Sequence, residues 1–249
     1  MLPRSDEGEA LTLPVIADPP THLALSVLSQ GDITILGRMP YSSNATFLVR
    51  IDHPTASTAA IYKPARGERP LWDFPSGLYR REVAAFELSQ ALGWRIIPPT
   101  VERDGPLGVG SVQLFIDADV AEHYFTLVAD RRHHGDLRRI CAFDLVANNT
   151  DRKSGHCLAS RWGPIYGIDQ GLCFASDFKL RTVIWDFGGE PLDDELRAAV
   201  GLAAGPPEEL AQWLRPDELR ALAERAEWLA EFGRFPEDDG GRRWPWPLV

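Results

Sequence analysis

The chain has 249 residues, a formal net charge of −10 and 44% apolar residues, with eight Trp. This composition predicts a folded core, and the acidic balance argues against a nucleic-acid partner and gives no attraction to an anionic membrane. Because no run of about 18 apolar residues is present and the first residues lack a signal-peptide pattern, we expect a cytoplasmic protein with no membrane insertion.

The first half of the chain favours β-strands. Residues 1 to 20 are predicted to be a loose polar leader, followed by a short helix over Thr21–Gln30. The strands end at glycine, proline or polar turns. Strands are predicted at 32–36, 45–51, 59–63, 96–101 and 111–116, the first three as an antiparallel meander, and a helix at 78–92.

The second half of the chain favours helices. Apolar periodicity predicts helices at 137–148, 191–203 and 208–232, with a short strand at 165–168. Strands first and helices later indicate an α+β fold of two lobes. We assign residues 21–116 to a small β-rich N-lobe and residues 117–249 to a helical C-lobe.

The last residues of the chain form a separate polar and aromatic stretch. The acidic run Glu237–Asp239 is expected to be a solvated surface segment. The Trp side chains at 244 and 246 are expected to dock in a groove, because an indole buries a large apolar surface.

Lysine is rare, with three lysines against 23 arginines, so each lysine is informative. Lys63 ends the third predicted strand. In a kinase-type lobe, a lysine at this place binds nucleotide phosphates and is held by a carboxylate on the following helix. Glu82 is the best-placed carboxylate, since Glu87 lies toward the other helix face. The alternative is that Lys63 and Glu82 are ordinary surface charges.

Two further places in the first half are candidates for nucleotide contacts. The turn Ser42, Ser43 and Asn44 offers backbone N–H groups and hydroxyls that can cap phosphates, although a simple hairpin turn explains it equally well. Gln113 and Phe115 end the last strand before the chain turns helical. At such a junction, backbone groups can bind the edge of an adenine and apolar neighbours can enclose its ring.

Two acids, Asp151 and Asp169, lie in polar turns of the second half. Asp151 follows Asn-Asn-Thr at a helix end, where a carboxylate can orient a hydroxyl and take its proton. Lys153 can stabilise the transferred charge, and His156 can bind a divalent metal, manganese more readily than magnesium. We interpret Asp169 as a metal ligand that bridges phosphates. Taken alone, His156 would be a hydrogen-bonded loop histidine and Asp169 a turn residue.

These two segments resemble motifs of a known kinase family. Asn149-Thr150-Asp151-Arg152-Lys153-Ser154-Gly155-His156 resembles the D-R-H-x-x-N catalytic loop of phosphatidylinositol 3-/4-kinases. Ile168-Asp169-Gln170-Gly171-Leu172 resembles their I-D-x-G-L metal-binding segment. The whole chain, including the stretch from Tyr62 to Pro75, is similar to an actinobacterial family with partial similarity to these kinases. The kinase resemblance covers the region from Ile33 to Phe174.

The resemblance implies a two-lobed protein-kinase-like fold of the phosphatidylinositol 3-/4-kinase type. By this resemblance, Lys63 binds phosphate, Asp151 is catalytic and Asp169 holds metal. Two positions depart from the family pattern: Lys153 stands where the family has its catalytic-loop His, and His156 stands at its metal-binding Asn.

We therefore expect ATP and Mg²⁺ or Mn²⁺ to bind between two lobes. The expected reaction is phosphoryl transfer to a hydroxyl of a small molecule or a protein, an acceptor that the sequence does not identify. Two alternatives use the same fold: a pseudokinase that binds nucleotide without chemistry, and transfer of another nucleotide part such as AMP. A third is a scaffold without nucleotide, whose Trp-rich loops contact partners.

Overall fold

A computed structural model describes residues 13–40, 42, 44–241 and 243–248. It contains two compact units. One consists of the chain up to Val83 with Pro98–Asp117, and the other of Ala84–Ile97 with the chain from Ala118 onward. The mixed α and β class is confirmed, with an antiparallel sheet. Most of the predicted leader, residues 1–12, lies outside the described residues.

The first unit is built on a five-stranded antiparallel sheet. Its strand order is β1-β2-β3-β5-β4. Short connections place β1, β2 and β3 side by side as the predicted meander requires, and a tight turn joins β4 to β5. The strands are β1 Asp32–Arg38, β2 Phe47–His53, β3 Ala56–Pro64, β4 Thr100–Gly105 and β5 Gly108–Leu114.

Helix α1 has the predicted bounds, Thr21–Gln30. Arg103 of β4 donates to the carbonyls of Leu28 and Gly31 at 3.0 and 2.6 Å. The last carbonyls of a helix have no partner within the helix, so this arginine satisfies one of them and holds the end of α1 to the sheet.

The strand predicted at 96–101 is wrong in its first half. Pro98 and Pro99 have no N–H to donate to a sheet ladder. The strand β4 therefore begins at Thr100. The carbonyl of Pro99 still accepts the N–H of Leu114 at 2.8 Å, which holds the approach to β4 in place.

Helices dominate the second unit. Among the described residues, none of the helices is long and apolar enough to cross a membrane.

The predicted helix at 208–232 is in fact a 3-10 turn followed by a separate helix, because Pro216 begins a helix rather than continuing one. Glu218 caps that helix by accepting the N–H of Arg215 at 2.9 Å. The helices are α2 Leu78–Ala91, shared with the first unit, and α3 Tyr124–Leu127, α4 His134–Ala147, α5 Asp194–Leu202 and α6 Pro216–Phe232.

A short hairpin in the second unit was only half predicted. Strand β6, Cys157–Ala159, pairs antiparallel with β7, Ile165–Gly167. A three-residue strand shows too little alternation to be recognised in sequence, so β6 was missed. The hairpin matters because β6 begins directly after His156 and β7 ends two residues before Asp169.

Arg152 and Asp144 form a buried ion pair in the second unit. Both side chains are 0% exposed, and Nη2 of Arg152 is 2.8 Å from Oδ1 of Asp144. Asp144, on α4, also accepts the side-chain amide of Asn149 at 3.0 Å and the hydroxyl of Thr182 at 3.2 Å. A buried charge that loses its partner is costly, so the pair constrains the backbone on both sides.

Arg152→Ala should lower the free energy of unfolding by about 3–5 kcal/mol, because Asp144 is left buried without its counter-ion. Arg132→Ala is the matched control, since Arg132 also pairs with an aspartate, Asp130, at 2.6 Å, but its side chain is 85% exposed. Solvent screens such a pair, so we expect little change. Urea unfolding followed by circular dichroism measures both variants, and equal losses would contradict the role given to burial.

Candidate functional site

Lys63 and Glu82 contact each other within the first unit. Lys63 lies on β3, and its Nζ forms an ion pair with Oε1 of Glu82 on α2. The Glu82 side chain is only 3% exposed. The predicted pairing with Glu82 rather than Glu87 is confirmed. The carboxyl of Glu87 is half-buried, and burial, with a smaller contribution from Glu209, raises its pKa.

Two side chains of the polar turn between β1 and β2 form hydrogen bonds within the first unit. Ser42 donates its hydroxyl to Oγ1 of Thr46 at 2.8 Å, and Oδ1 of Asn44 accepts the N–H of Arg69 at 2.9 Å. Ser43 lies outside the described residues. These bonds engage the side chains of Ser42 and Asn44, so a phosphate bound there would rely mainly on backbone N–H groups.

The end of β5 is already occupied by bonds inside the sheet. Gln113 is 6% exposed, and its Nε2 donates to Oγ1 of Thr100 at 2.9 Å. The N–H of Phe115 donates to the carbonyl of Ala59 at 3.2 Å. These two groups are therefore engaged in the sheet, and the prediction that this strand end binds an adenine edge gains no support from them.

Two asparagines direct the chain from α4 into the Asp151 loop (residues 149–156). Asn148 ends α4 with a φ of 54°, a left-handed conformation that asparagine tolerates better than most residues. Its Nδ2 donates to the carbonyls of Ala175 and Asp177 at 3.0 and 2.7 Å. Oδ1 of Asn149 accepts the N–H of Asp151 at 2.9 Å, which fixes the backbone of the predicted catalytic acid.

The carboxylate of Asp151 is half-buried and paired with Lys153. Nζ of Lys153 is 2.8 Å from Oδ2 of Asp151. Burial raises the pKa of Asp151, while Lys153 lowers it and the charge of Asp169 raises it. A carboxylate with a raised pKa is a stronger proton acceptor than usual.

Asp169 is the centre of the Asp169 turn (residues 168–171) and has a left-handed φ of 61°. This conformation is uncommon outside glycine and persists where the surroundings enforce it, often at functional sites. Arg152 supplies that constraint. Its Nη1 donates to the carbonyl of Ile168 at 2.7 Å and its Nη2 to Oε1 of Gln170 at 3.0 Å. Arg152 thus joins the Asp151 loop to the Asp169 turn.

His156 contacts both segments. Its Nδ1 accepts the N–H of Lys153 at 3.3 Å, and its Nε2 is 3.7 Å from Oδ2 of Asp169. A neutral imidazole carries its proton on one nitrogen, so this network assigns the proton to Nε2, which faces Asp169. In this arrangement His156 orients Asp169. To bind a metal through Nε2, the ring must carry its proton on Nδ1 instead, and the N–H of Lys153 then loses this acceptor.

Asp169 and His156 offer one oxygen and one nitrogen donor to a divalent metal. Across the described ranges, no group of three or more His, Cys, Asp or Glu side chains is placed to hold a metal. Metals that act on nucleotides take only one or two protein carboxylates, with phosphates and water completing the shell. The two donors therefore fit a metal that arrives with a nucleotide and not a permanent structural metal.

The candidate residues of the Asp151 loop and the Asp169 turn are partly exposed, whereas the buried side chains that hold both segments were not predicted. One signal was available: Asp144 lies one turn after Ile140 on the apolar face of α4, and a buried carboxylate requires a partner. Thr182 and its neighbours carry no such pattern. The missed side chains are Asp144, Asn149, Arg152, Gln170 and Thr182.

Solved structures share this fold. The Golgi casein kinase matches with a TM-score of 0.55 and 16% identity, covering 88% of this chain and 79% of that chain. The same kinase with Mn/ADP bound matches with a TM-score of 0.55 and 15% identity, covering 88% and 80%. Hydra Fam20 with sugar gives a TM-score of 0.52 and 14% identity, covering 89% and 91%. The fold is therefore kinase-like, while the likeness to phosphatidylinositol 3-/4-kinases stays a prediction.

One relative shows the family, although no protein-family model matches the chain. Protein Rv2133c of Mycobacterium tuberculosis is 40% identical over 261 aligned positions, which cover 89% of this chain and 94% of Rv2133c. Its source is an actinobacterium, as the sequence resemblance indicated. Identity at this level over nearly the full length of both proteins reflects common ancestry, and this chain belongs to the family of Rv2133c.

Proposed function

We propose that this chain is an atypical kinase-like phosphotransferase that uses ATP and a divalent metal. Its acceptor is a hydroxyl of a small molecule or a protein. The division into a β-rich lobe, residues 21–116, and a helical lobe, residues 117–249, is part of this proposal, as are the roles of the individual site residues.

The observation that carries the proposal is that Arg152 ties together the backbones that present Asp151 and Asp169, by donating to the carbonyl of Ile168 at 2.7 Å. The charge of Asp169 makes a smaller contribution than burial to the raised pKa of Asp151. Phosphoryl transfer needs little covalent chemistry from the protein, because positioning and charge stabilisation supply most of the catalysis. Two rigidly presented carboxylates, one half-buried and one exposed, suit those two tasks.

The ion pair of Lys63 and Glu82 supports the same function from the first unit. A lysine amine has four rotatable bonds, so an unpaired one loses much conformational freedom when it binds a phosphate. Glu82 is nearly fully buried and holds the ammonium before any ligand binds. Lys63 is therefore prepared to contact the phosphates of a nucleotide.

Asp151 would orient the acceptor hydroxyl and take its proton. Burial raises the pKa of Asp151, which makes this carboxylate a stronger proton acceptor. Lys153 now pairs with Asp151. On substrate binding, its ammonium would turn to the transferred phosphoryl group and stabilise its charge.

Asp169, with His156 beside it, would hold the metal. A metal there would neutralise phosphate charge during transfer. Mn/ADP is bound in one structure of the Golgi casein kinase, which supports the choice of cofactors. The nitrogen donor of His156 favours manganese over magnesium, because magnesium prefers oxygen ligands.

The main alternative is a nucleotide-binding module without chemistry. One observation favours it: the Lys153 ammonium lies on the carboxylate of Asp151, which must be released before it can take a proton. Transfer of AMP uses the same groups and differs in its product, since it releases pyrophosphate rather than ADP.

Asp169→Asn should abolish the metal-dependent part of nucleotide binding, because an amide carries no charge for the metal. A ligand that binds only the folded protein stabilises it by about 2.7 kcal/mol at a hundredfold excess over its Kd. A thermal-shift series with ATP, with and without Mg²⁺ or Mn²⁺, measures this. Metal-independent stabilisation of the wild type would support the binding module instead, and no shift at millimolar ATP would refute a nucleotide site.

Asp151→Asn should reduce ATP turnover by about 10²–10⁴-fold, the usual contribution of a positioned proton acceptor, while metal-dependent ATP binding stays unchanged. The rate of ADP release in the presence of Mn²⁺ measures turnover, and the thermal shift measures binding. Asp130→Asn, at an exposed loop acid far along the chain from both site segments, is the control. If Asp151→Asn turns over ATP at the wild-type rate, Asp151 is not the proton acceptor. Release of pyrophosphate by the wild type would indicate AMP transfer.

His156→Asn should change the metal preference from Mn²⁺ toward Mg²⁺, because it replaces an imidazole nitrogen with an amide oxygen. The ratio of turnover with the two metals is the measurement. His156→Ala is the comparison: it should weaken activation by both metals. An unchanged ratio in His156→Asn would show that His156 is not a metal ligand and acts only by orienting Asp169.

A further inference from the structure

The last described residues of the chain lie against the Asp151 loop. We call residues 243–248 the tail segment. At its start, the carbonyl of Arg243 accepts the N–H of Thr182 at 3.0 Å, and at its end the carbonyl of Leu248 accepts the N–H of Ser154 at 2.8 Å. The tail segment therefore spans from the stretch that contains Thr182 to the loop that carries Asp151.

Side chains hold the tail segment in place. Arg243 pairs with Asp239 at 2.7 Å, and its guanidinium lies 5.9 Å from the ring centre of Phe178. Trp244 donates its indole N–H to Asp238 at 2.8 Å. The acidic run Glu237–Asp239 is largely solvent-exposed, as the sequence predicts, and two of its carboxylates also bind the tail segment.

The Trp side chains of the tail segment do not dock as the sequence predicted. Pro245 is the buried residue of the tail segment. Trp244 is 40% exposed and Trp246 is 87% exposed. The predicted burial of the Trp rings is therefore wrong, and backbone hydrogen bonds together with acidic partners anchor this segment.

The bond to Ser154 lies at a sensitive point of the Asp151 loop. Ser154 begins the 3-10 turn Ser154–His156, and the first N–H groups of such a turn have no partner within it. Leu248 supplies that partner. Ser154 directly follows Lys153 and precedes His156 by two residues, so the bond fixes the backbone between both side chains.

The same contact continues the support of the Arg152 backbone. The N–H of Arg152 donates to the carbonyl of Arg181 at 3.0 Å, and its carbonyl accepts the N–H of Val183 at 3.1 Å. Thr182, between these two, turns its own N–H to the tail segment. The tail segment thus braces the Asp151 loop both directly and through the stretch beside it.

We propose that the tail segment is a positioning element of the Asp151 loop, which keeps Lys153 and His156 in the arrangement that the phosphoryl transfer requires. This inference rests on the proposed function. Release of the tail segment lowers turnover because a displacement of about 1 Å in positioned groups is enough to cost a large factor in rate. ATP binding changes little, because the backbone bonds of the tail segment end on Thr182 and Ser154 and leave the Arg152 contacts to the Asp169 turn in place.

Ser154→Pro tests the proposal, because proline removes the N–H that binds Leu248. Proline suits this position: Lys153 before it is extended, with φ −85° and ψ 163°, and the first residue of a helical turn accepts proline. Ser154→Ala is the matched control, since it removes only the hydroxyl and keeps the N–H. Arg243→Ala is a second variant that loosens the tail segment from its side chains without altering the loop.

Two measurements are made on the full chain: ADP release with Mn²⁺, as kcat and KM for ATP, and amide hydrogen exchange of the peptides that contain Thr182 and Ser154. We expect Ser154→Pro and Arg243→Ala to lower kcat on the order of tenfold to a hundredfold, with KM within about twofold and faster exchange at Thr182. Ser154→Ala should behave as the wild type in both measurements.

Three results would overturn the positioning role alone. Wild-type kcat in a variant with fast exchange at Thr182 would show that the tail segment does not position the loop. An equal loss in Ser154→Ala would assign the effect to the hydroxyl. Fast exchange at Thr182 in the wild type would show that the contact is absent in solution. If the wild type has protected amides but no turnover, the proposed function fails and the positioning role fails with it, while the contact itself stands.

Discussion

The ion pair of Arg152 and Asp144 is the constraint on which the second unit depends. A guanidinium with no exposed surface cannot be left without partners, and Arg152 meets this requirement with the carboxylate on α4, the carbonyl of Ile168 and the amide of Gln170. Three segments that are distant in sequence must therefore meet at one side chain. The positions of Asp151 and Asp169 follow from these contacts. Asp151 directly precedes Arg152, and Asp169 lies between Ile168 and Gln170, which Arg152 binds.

The sequence predicted the parts of this protein that depend on local pattern. The strands of the meander, the helix after Lys63 and the contact of Lys63 with Glu82 all follow from alternation and periodicity. Errors appeared where one residue overrides a pattern: Pro98 and Pro99 delay β4, and Pro216 divides a helix that periodicity makes continuous.

The support of the site was not predictable in the same way. The role of Arg152 could not be predicted from its motif, because its partners Asp144 and Gln170 lie 8 and 18 residues away in sequence and no local rule connects them. The contact of Leu248 with Ser154 joins residues that are still further apart. The acids themselves were found because a carboxylate in a polar turn has a recognisable chemistry, whereas the residues behind them are ordinary until the fold brings them together.

Different residues fix the backbone of the site and provide its chemical groups. Arg152, Asn149 and the backbone bonds hold the Asp151 loop, and neither the Lys153 ammonium nor the His156 imidazole takes part in the buried pair. Substitutions at positions 153 and 156 should therefore lower the free energy of unfolding only slightly. Related proteins with this scaffold can therefore exchange those two side chains and use other metals or other acceptors. A substitution at position 144 or 152 would instead destabilise the fold before any new chemistry arose.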